Sequence, residues 1–156
     1  MNIQHVITGD EPVSLEELKI WCRVDYADDD LIIEAMGKAA RSAIERYCGI
    51  SIVEQTVTLK WDNYTPVLFV PYGPVRSYTT IKVDGEDIDA PTDRHLRAGA
   101  GKLEMVYLAG YEVVPEDLRV AIMQLTSIYY DRKDAVGVIP NNIKMLIEGY
   151  NMNLPI

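Results

Sequence analysis

The chain has 156 residues, of which 48% are hydrophobic and 25% are charged. This composition is typical of a folded domain with a hydrophobic core and excludes a mostly disordered chain. Lys and Arg number 15 against 24 Asp and Glu, so the formal net charge is -9. The balance argues against a general nucleic-acid-binding protein, which needs cations to displace phosphate counterions. It is compatible with a protein past which DNA slides, because a negative surface repels phosphate.

The chain shows no membrane or secretion signal. No apolar run approaches the roughly 20 residues that a membrane-spanning helix needs. Residues 1–10 lack the basic and apolar regions of a signal peptide, so we expect a soluble protein made in a cytoplasm. The two cysteines, Cys22 and Cys48, form no C-x-x-C pair. We expect them to be reduced and largely buried, with a disulfide as the less favoured alternative.

The first predicted element is a helix over residues 14–23. Ser14 and Glu17 have the spacing of a capping box, in which each side chain bonds the other residue's backbone amide. Its apolar face is expected to include residues 15, 18 and 20–22.

A second helix is predicted over residues 29–48, because apolar residues recur there at three- and four-residue spacing. Gly49 is a natural C-terminal stop, and Arg41 with Glu45 forms an i to i+4 pair expected on the outer side. The carboxylates of three aspartates at the helix start, Asp28, Asp29 and Asp30, are expected to cap exposed amides.

Residues 52–113 change to the period-two pattern of strands, which predicts a small antiparallel β insertion. Asp84-Gly85 follows one of these strands and is a strong signal for a hairpin turn. Residues 89–101 are rich in Gly, Pro, Asp and Ala, and we predict a loop there.

Two further helices are predicted over residues 115–133 and 141–150, the second short and amphipathic. The predicted fold class is therefore α+β. It is mainly an α-helical bundle of two N-terminal helices, one long later helix and a short C-terminal helix, with the β region inserted. All of it is expected to form a single domain over residues 1–156.

No catalytic, cofactor-binding or metal-binding residues emerge from the sequence. His5 and His95 are the only histidines, and neither has a second ligand at zinc-site spacing. The three aspartates at 28–30 point in different directions around a helix start, which favours capping over metal binding. Residues 98–102 end in Gly-Lys but lack the remaining residues of a phosphate-binding loop.

Two cations stand out near the tip of the predicted loop, Arg94 and Arg97. Basic side chains there on an acidic protein are candidate contacts to an acidic partner or to DNA phosphate. Solvated surface charge is the more favoured alternative, because isolated charges are normal on any protein surface.

The order of these segments resembles the phage head-tail connector (adaptor) family, gp6-like, in its longer type with a β insertion between helices. The proline-bracketed stretch Val70-Pro71-Tyr72-Gly73-Pro74-Val75 looks like the family's strand exit before the hairpin. The other matching segments are residues 13–19, 23–25, 28–32, 39–40, 44–45, 47–49, 109–111, 114–118, 129–133 and 140–150.

The resemblance implies a structural protein of the virion neck and no enzyme. Its subunits would form a ring, usually twelvefold, beneath the portal protein and above the next neck or tail protein. DNA would pass through the ring without sequence-specific binding, and the protein would be assembled in the host cytoplasm without any cofactor or membrane contact.

The resemblance also implies that the C-terminal segment docks on the portal, through Pro140, Ile143, Leu146, Ile147 and Tyr150. A short amphipathic helix is the form that a helix-in-groove contact takes. Packing of the same stripe on the protein's own core is an equally favoured alternative.

Two other functions stay open from the sequence. One is another neck or tail component, a head-completion stopper or a tail terminator, for which we expect a predominance of β structure. The less favoured one is a small enzyme or regulator, which needs a convergent polar site or a basic face.

Overall fold

The computed structural model describes residues 1–64 and 67–152. Within these residues no helix is long and apolar enough to cross a membrane. The helices are α1 (Leu15–Cys22), α2 (Asp30–Cys48), α3 (Glu116–Asp131) and α4 (Asn141–Ile147), with 3₁₀ turns at Lys133–Ala135 and Glu148–Tyr150. The strands are β1 (Asn2–Ile7), β2 (Gln55–Tyr64), β3 (Val67–Phe69), β4 (Val75–Val83), β5 (Glu86–Asp87), β6 (His95–Arg97) and β7 (Gly101–Ala109).

The chain divides into two compact units. The helical unit comprises Glu11–Ile52 and the chain from Val113 onwards, and the β unit comprises Met1–Asp10 with Val53–Glu112. The predicted α+β class is confirmed. The description as mainly a helical bundle is not, because strands make up 28% against 38% helix. The single domain over residues 1–156 stays a prediction.

In the helical unit, local chemistry sets where α1 and α2 begin and end. The capping box is confirmed, since Ser14 Oγ accepts from the Glu17 amide at 3.3 Å and Glu17 Oε2 accepts from the Ser14 amide at 2.9 Å. Helix α2 ends at Gly49, whose φ of 66° lies in the left-handed region that glycine adopts without strain. Helix α3 packs against α1, α2 and α4, and so forms the centre of this unit.

The pair formed by Arg41 and Glu45 lies inside the helical unit, so its predicted position on the outer side is wrong. Arg41 is only 4% exposed. Its Nη1 donates to Glu45 Oε2 at 2.7 Å, and its Nε and Nη2 donate to the two carboxylate oxygens of Glu11 at 2.8 and 3.0 Å. The other Glu45 oxygen accepts from the Ile52 amide at 2.7 Å. Burial is tolerated here because the charges are paired and hydrogen-bonded.

In the β unit, five antiparallel strands form one sheet in the order β1-β2-β7-β4-β5, and β3 pairs with β6 in a second, two-stranded sheet. The predicted hairpin turn is confirmed. Asp84 and Gly85 both have positive φ, at 52° and 86°, and they join Val83 to its partner Glu86.

The core of the β unit lies on one face of the larger sheet. Alternate residues of β7 point into it, as the period of two requires, and Leu96 from the small sheet completes it. The core residues are Val57, Leu59, Val70, Ile81, Leu96, Leu103, Met105, Tyr107 and Ala109.

The prediction of a loop over residues 89–101 is wrong in its second half. Strand β6 occupies His95–Arg97 and pairs residue for residue with β3. The side chain of Leu96 is buried in the core described above. Burial of this one apolar residue, between residues of loop composition, stabilises a strand that local propensity does not favour.

Candidate functional site

The predicted docking segment folds onto the helical unit. Pro140 precedes α4, and the side chains of Ile143 and Ile147 are completely buried. Leu146 and Tyr150 are partly buried. The backbone of the segment is also held, since the Cys48 thiol donates to the Ile147 carbonyl oxygen at 3.8 Å.

The outward side of α4 presents a different residue from those that the sequence singled out. Met145 is 80% exposed and lies between Ile143 and Ile147, which face inward. The helical spacing explains this arrangement, because residues i and i+4 share a face and residue i+2 lies on the other side. Docking through this helix as it stands would therefore use Met145.

Arg94 and Arg97 differ in their surroundings. The Arg94 guanidinium lies over the Phe69 ring, 4.4 Å from its centroid, and its Nη2 donates to the Val70 carbonyl oxygen at 3.1 Å. Partial burial of this group lowers its pKa. Arg97 is exposed and forms a bidentate pair with Asp93, at 3.0 and 3.1 Å from Oδ2. The two side chains therefore do not form one contact surface.

The two histidines are held by neighbours within the β unit. The Nδ1 atom of His5 lies 3.0 Å from the Gln55 Oε1 atom, and its ring meets Tyr72 edge-on at 4.6 Å. The ring of His95 meets Phe69 edge-on at 5.5 Å. Among the described residues no group of three or more His, Cys, Asp or Glu side chains could hold a metal ion.

Four large apolar side chains are exposed where α1 leads into α2, and we call them the apolar corner: Ile20, Trp21, Tyr26 and Leu31. Ile20 and Leu31, at 74% and 81% exposed, are among the most exposed aliphatic side chains described. Exposed apolar side chains gathered within one short stretch of chain are candidates for a contact with another protein.

Polar contacts hold the apolar corner together. Lys19 and Asp30 directly precede Ile20 and Leu31 in the chain, and they form an ion pair at 2.6 Å. The carboxylate of Asp29 accepts from the hydroxyl of Tyr26 at 3.2 Å and also from that of Tyr130. The hydrogen bond to Asp29 raises the pKa of Tyr130, and the bond with Tyr26 adds to this.

The predicted capping role is therefore wrong for Asp29. Asp29 stands at the N-cap position, but its side chain makes no hydrogen bond to a helix amide. The carboxylates of Asp29 and Asp30 are instead occupied by the tyrosine hydroxyls and by Lys19.

An open cleft of about 470 Å³ lies beside the C-terminal end of α2. We call it the basic cleft, because it contains two cations, Arg46 and Lys144, and no acidic residue among its described lining. The Lys144 ammonium stands over the Tyr47 ring at 5.4 Å from the centroid. The lining consists of Ala43, Arg46, Tyr47, Gly137, Val138, Ile139 and Lys144.

A second, smaller groove of about 240 Å³ lies beside the N-terminal end of α1. Its floor is apolar, with Leu18 and Ile122 at the bottom and Gly37 leaving room beside them. Gly37 lies so close to Leu18 that a Cβ atom there would stand 2.7 Å from the leucine Cδ1. Glycine at this position therefore permits the close packing of α1 on α2.

Ile20 and Leu31 were expected on the buried apolar faces of the first and second helices, and this prediction is wrong for both. In α1 the buried residue is Leu18, and in α2 the buried series runs through Ile33, Gly37, Ala40 and Ile44. Ile20 and Leu31 lie two residues away from a member of these series. That displacement from the stripe is the signal by which a sequence could have indicated their exposure.

The fold is shared over its whole length with chains in solved structures of gene transfer agent (GTA) particles. The virion of the native GTA particle gives a TM-score of 0.77 at 20% identity. The neck of the empty GTA particle computed with C6 symmetry gives 0.74 at 19%, and the neck of the native particle computed with C12 symmetry gives 0.72 at 19%. Each similarity covers 100% of this chain and 98% of the other.

Residues 12–155 match the family described as phage gp6-like head-tail connector protein. Because the match spans far more than half of the chain, the protein belongs to this family of head-tail connectors. A comparison with curated proteins finds no match.

Proposed function

We propose that this protein is a structural subunit of the neck of a tailed phage or phage-like particle. In this role it forms a ring beneath the portal protein, joins the DNA-filled head to the next neck or tail protein and lets DNA pass. The observation that carries the proposal is the family match over residues 12–155. Its site is the virion neck, and its assembly takes place in the host cytoplasm.

The ring is proposed as twelvefold. One of the similar neck structures was computed with C12 symmetry. Another was computed with C6 symmetry, which a ring of twelve copies also satisfies. A subunit of such a ring meets its neighbours through two different surfaces, since a cyclic ring of more than two copies is built head to tail.

The acidic balance of the chain suits a ring around moving DNA. A formal charge of -9 on each copy gives a ring a strongly negative potential, which opposes tight binding of phosphate. In this proposal DNA passes without sequence-specific contacts.

The C-terminal segment is the proposed portal-docking element, with Met145 as its contact residue. Ile143 and Ile147 are buried in the subunit itself and hold α4 in place. Leu146 and Tyr150 flank the helix and are partly exposed. An exposed methionine on a short, anchored helix is suited to an apolar groove on a partner because its flexible thioether side chain adapts to irregular surfaces.

The test is co-sedimentation of this protein with the portal oligomer from the same genome. Deletion of the segment would remove Ile143 and Ile147 from the core, so a point variant is preferable. Met145→Glu is expected to weaken binding at least about tenfold, since a contact residue in the centre of an interface contributes on that scale. Val113→Glu, at a residue of similar exposure, is the matched control and should bind normally.

The outcomes separate the function from the docking surface. Stoichiometric binding that is lost in Met145→Glu supports both. Binding that survives the variant retains the portal contact and contradicts the role of Met145. A folded protein, shown by circular dichroism, that does not bind the portal contradicts the proposal and favours another neck component.

A further inference from the structure

The apolar corner and the basic cleft lie at opposite ends of α2. Leu31 stands in the first turn of the helix and Arg46 in the last. With a rise of about 1.5 Å per residue, they are roughly 20 Å apart along the helix axis. Both belong to the helical unit, so each copy of the chain presents both surfaces at a fixed separation.

The two surfaces have opposite charge. The corner segment from Lys19 to Leu31 contains four aspartates against Lys19 and Arg23, a formal balance of -2. Two of the aspartates, Asp25 and Asp28, are exposed. The described lining of the cleft contains two cations and no acid, a balance of +2. Glu148 lies at its margin, where it accepts the Tyr47 hydroxyl at 3.5 Å.

The two surfaces also differ in form. The corner projects aliphatic and aromatic side chains, and the cleft is open and has Val138, itself exposed, on its wall. Aromatic side chains of this kind contribute much of the binding energy in protein–protein interfaces. Charged residues around them reduce the binding of wrong partners. A molecule with net charge -9 needs such local complementarity to contact its own copy.

We propose that the apolar corner of one subunit binds in the basic cleft of the next, and that this head-to-tail contact closes the ring. The inference rests on the proposed function and names the partner, a second copy of this chain, and the surface on each side. A contact between two different surfaces repeats around a ring, whereas a contact of one surface with itself stops at a dimer.

The test uses a short bis-maleimide crosslinker and two chains that each carry one exposed cysteine. In one chain Leu31→Cys marks the corner, and in the other Val138→Cys marks the cleft. Cys22 is replaced by Ser in both because it is partly exposed, while Cys48 is buried and stays. One chain carries ¹⁵N, so that mass spectrometry separates mixed from identical pairs.

The expected result is a crosslinked dimer with one chain of each kind, in about tenfold or greater excess over either identical pair. Equal yields of mixed and identical pairs, or no crosslinked dimer, overturn the proposal. The same two chains are also sedimented with the portal oligomer. Normal portal binding without mixed crosslinks leaves the proposed function standing and refutes this contact, while a folded chain without substitutions that does not bind the portal refutes the function itself.

Charge reversal supplies an independent check on the pairing. Asp28→Lys in the corner chain, or Lys144→Glu in the cleft chain, is expected to lower the yield of mixed dimer several-fold, on the order of tenfold. The two reversals combined should restore it, because the opposite charges again face each other. Asp62→Lys, at an exposed residue of the β unit, is the matched control and should leave the yield unchanged. Reversals that do not compensate each other contradict the pairing of these two surfaces.

Discussion

Replacement of Arg41 by Met removes the cation from a buried network and leaves the charges of the Glu11 and Glu45 carboxylates without the guanidinium that pairs with them. Arg41 bonds both oxygens of Glu11 and one oxygen of Glu45, and its side chain is 5% exposed. Glu45 is itself buried and cannot regain water. We expect Arg41→Met to lower the free energy of unfolding by about 3–5 kcal/mol, the usual penalty for an uncompensated buried charge.

The magnitude follows from burial rather than from the number of hydrogen bonds. Arg97 makes a bidentate pair with Asp93 of similar geometry, but its side chain is 61% exposed. Water replaces the lost partner there, so Arg97→Met should lower the free energy of unfolding by about 0–1 kcal/mol. Both variants remove a guanidinium that makes several hydrogen bonds to carboxylates, and the larger effect is expected where those carboxylates are buried.

Urea denaturation followed by circular dichroism at the helix band measures the effect, because all four α-helices belong to the unit that contains Arg41. With a slope of about 2 kcal/mol per M, the midpoint should fall by about 1.5–2.5 M urea in Arg41→Met. Adding Glu45→Gln should recover part of the loss, because the amide oxygen still accepts from the Ile52 amide and no charge is buried. Equal shifts for Arg41→Met and Arg97→Met, or no recovery in the double variant, would refute the reasoning.

Three further predictions concern single residues. The hydrogen bond from the Ser14 backbone amide, followed by the hydrogen bond from Arg119, lowers the pKa of Glu17. A carboxyl group with a lowered folded-state pKa contributes stability that is present above its unfolded-state pKa and is lost as the pH falls through the folded-state pKa. Glu17→Gln should therefore flatten the acid side of a profile of melting temperature against pH. Burial raises the pKa of the Cys48 thiol to about 12. A thiol reagent at pH 8 should therefore modify Cys48 only after denaturation, which peptide mass mapping would show. Rapid labelling of the native protein would contradict this prediction. Gly110 has a φ of 122°, so Gly110→Ala should lower the free energy of unfolding of the β unit by about 1–3 kcal/mol, whereas Gly99→Ala, in open space in the same unit, should have little effect. Urea denaturation followed by the fluorescence of Trp61, which lies in that unit, measures both changes when Trp21 is replaced by Phe.

Elements with local causes could be predicted from the sequence. The capping box at Ser14, the stop at Gly49 and the turn at Asp84-Gly85 each depend on residues within a few positions of one another. Helices α2 and α3 followed from stripes long enough to define a period. Local rules sufficed because the tertiary structure does not oppose them at these positions.

Elements whose causes lie far away in the chain could not be predicted from the sequence. Strand β6 exists because Leu96 is buried beneath a sheet formed by other segments, and its own residues have the composition of a loop. Arg41 is buried because Glu11 and the Ile52 amide converge on the same network from outside α2. No spacing rule within one helix contains that information.

The candidate site divides in the same way. That α4 is amphipathic could be predicted, but the inward orientation of Ile143 and Ile147 depends on what the helix packs against. The apolar corner was missed because Ile20 and Leu31 are hydrophobic and near a stripe without belonging to it. Its acidic neighbours were interpreted as caps, since capping is the usual role of aspartate before a helix.

The division of the chain has a consequence for how such a protein can change over time. Helices α2 and α3 pack together, although residues 53–112 of the β unit separate them in the chain. The entropy lost on closing so long a segment grows only with the logarithm of its length, and doubling it costs about 0.6 kcal/mol. The loop-closure cost of bringing α2 and α3 together is therefore almost insensitive to the length of the segment between them. Changes in that length are expected to cost the helical unit little chain entropy.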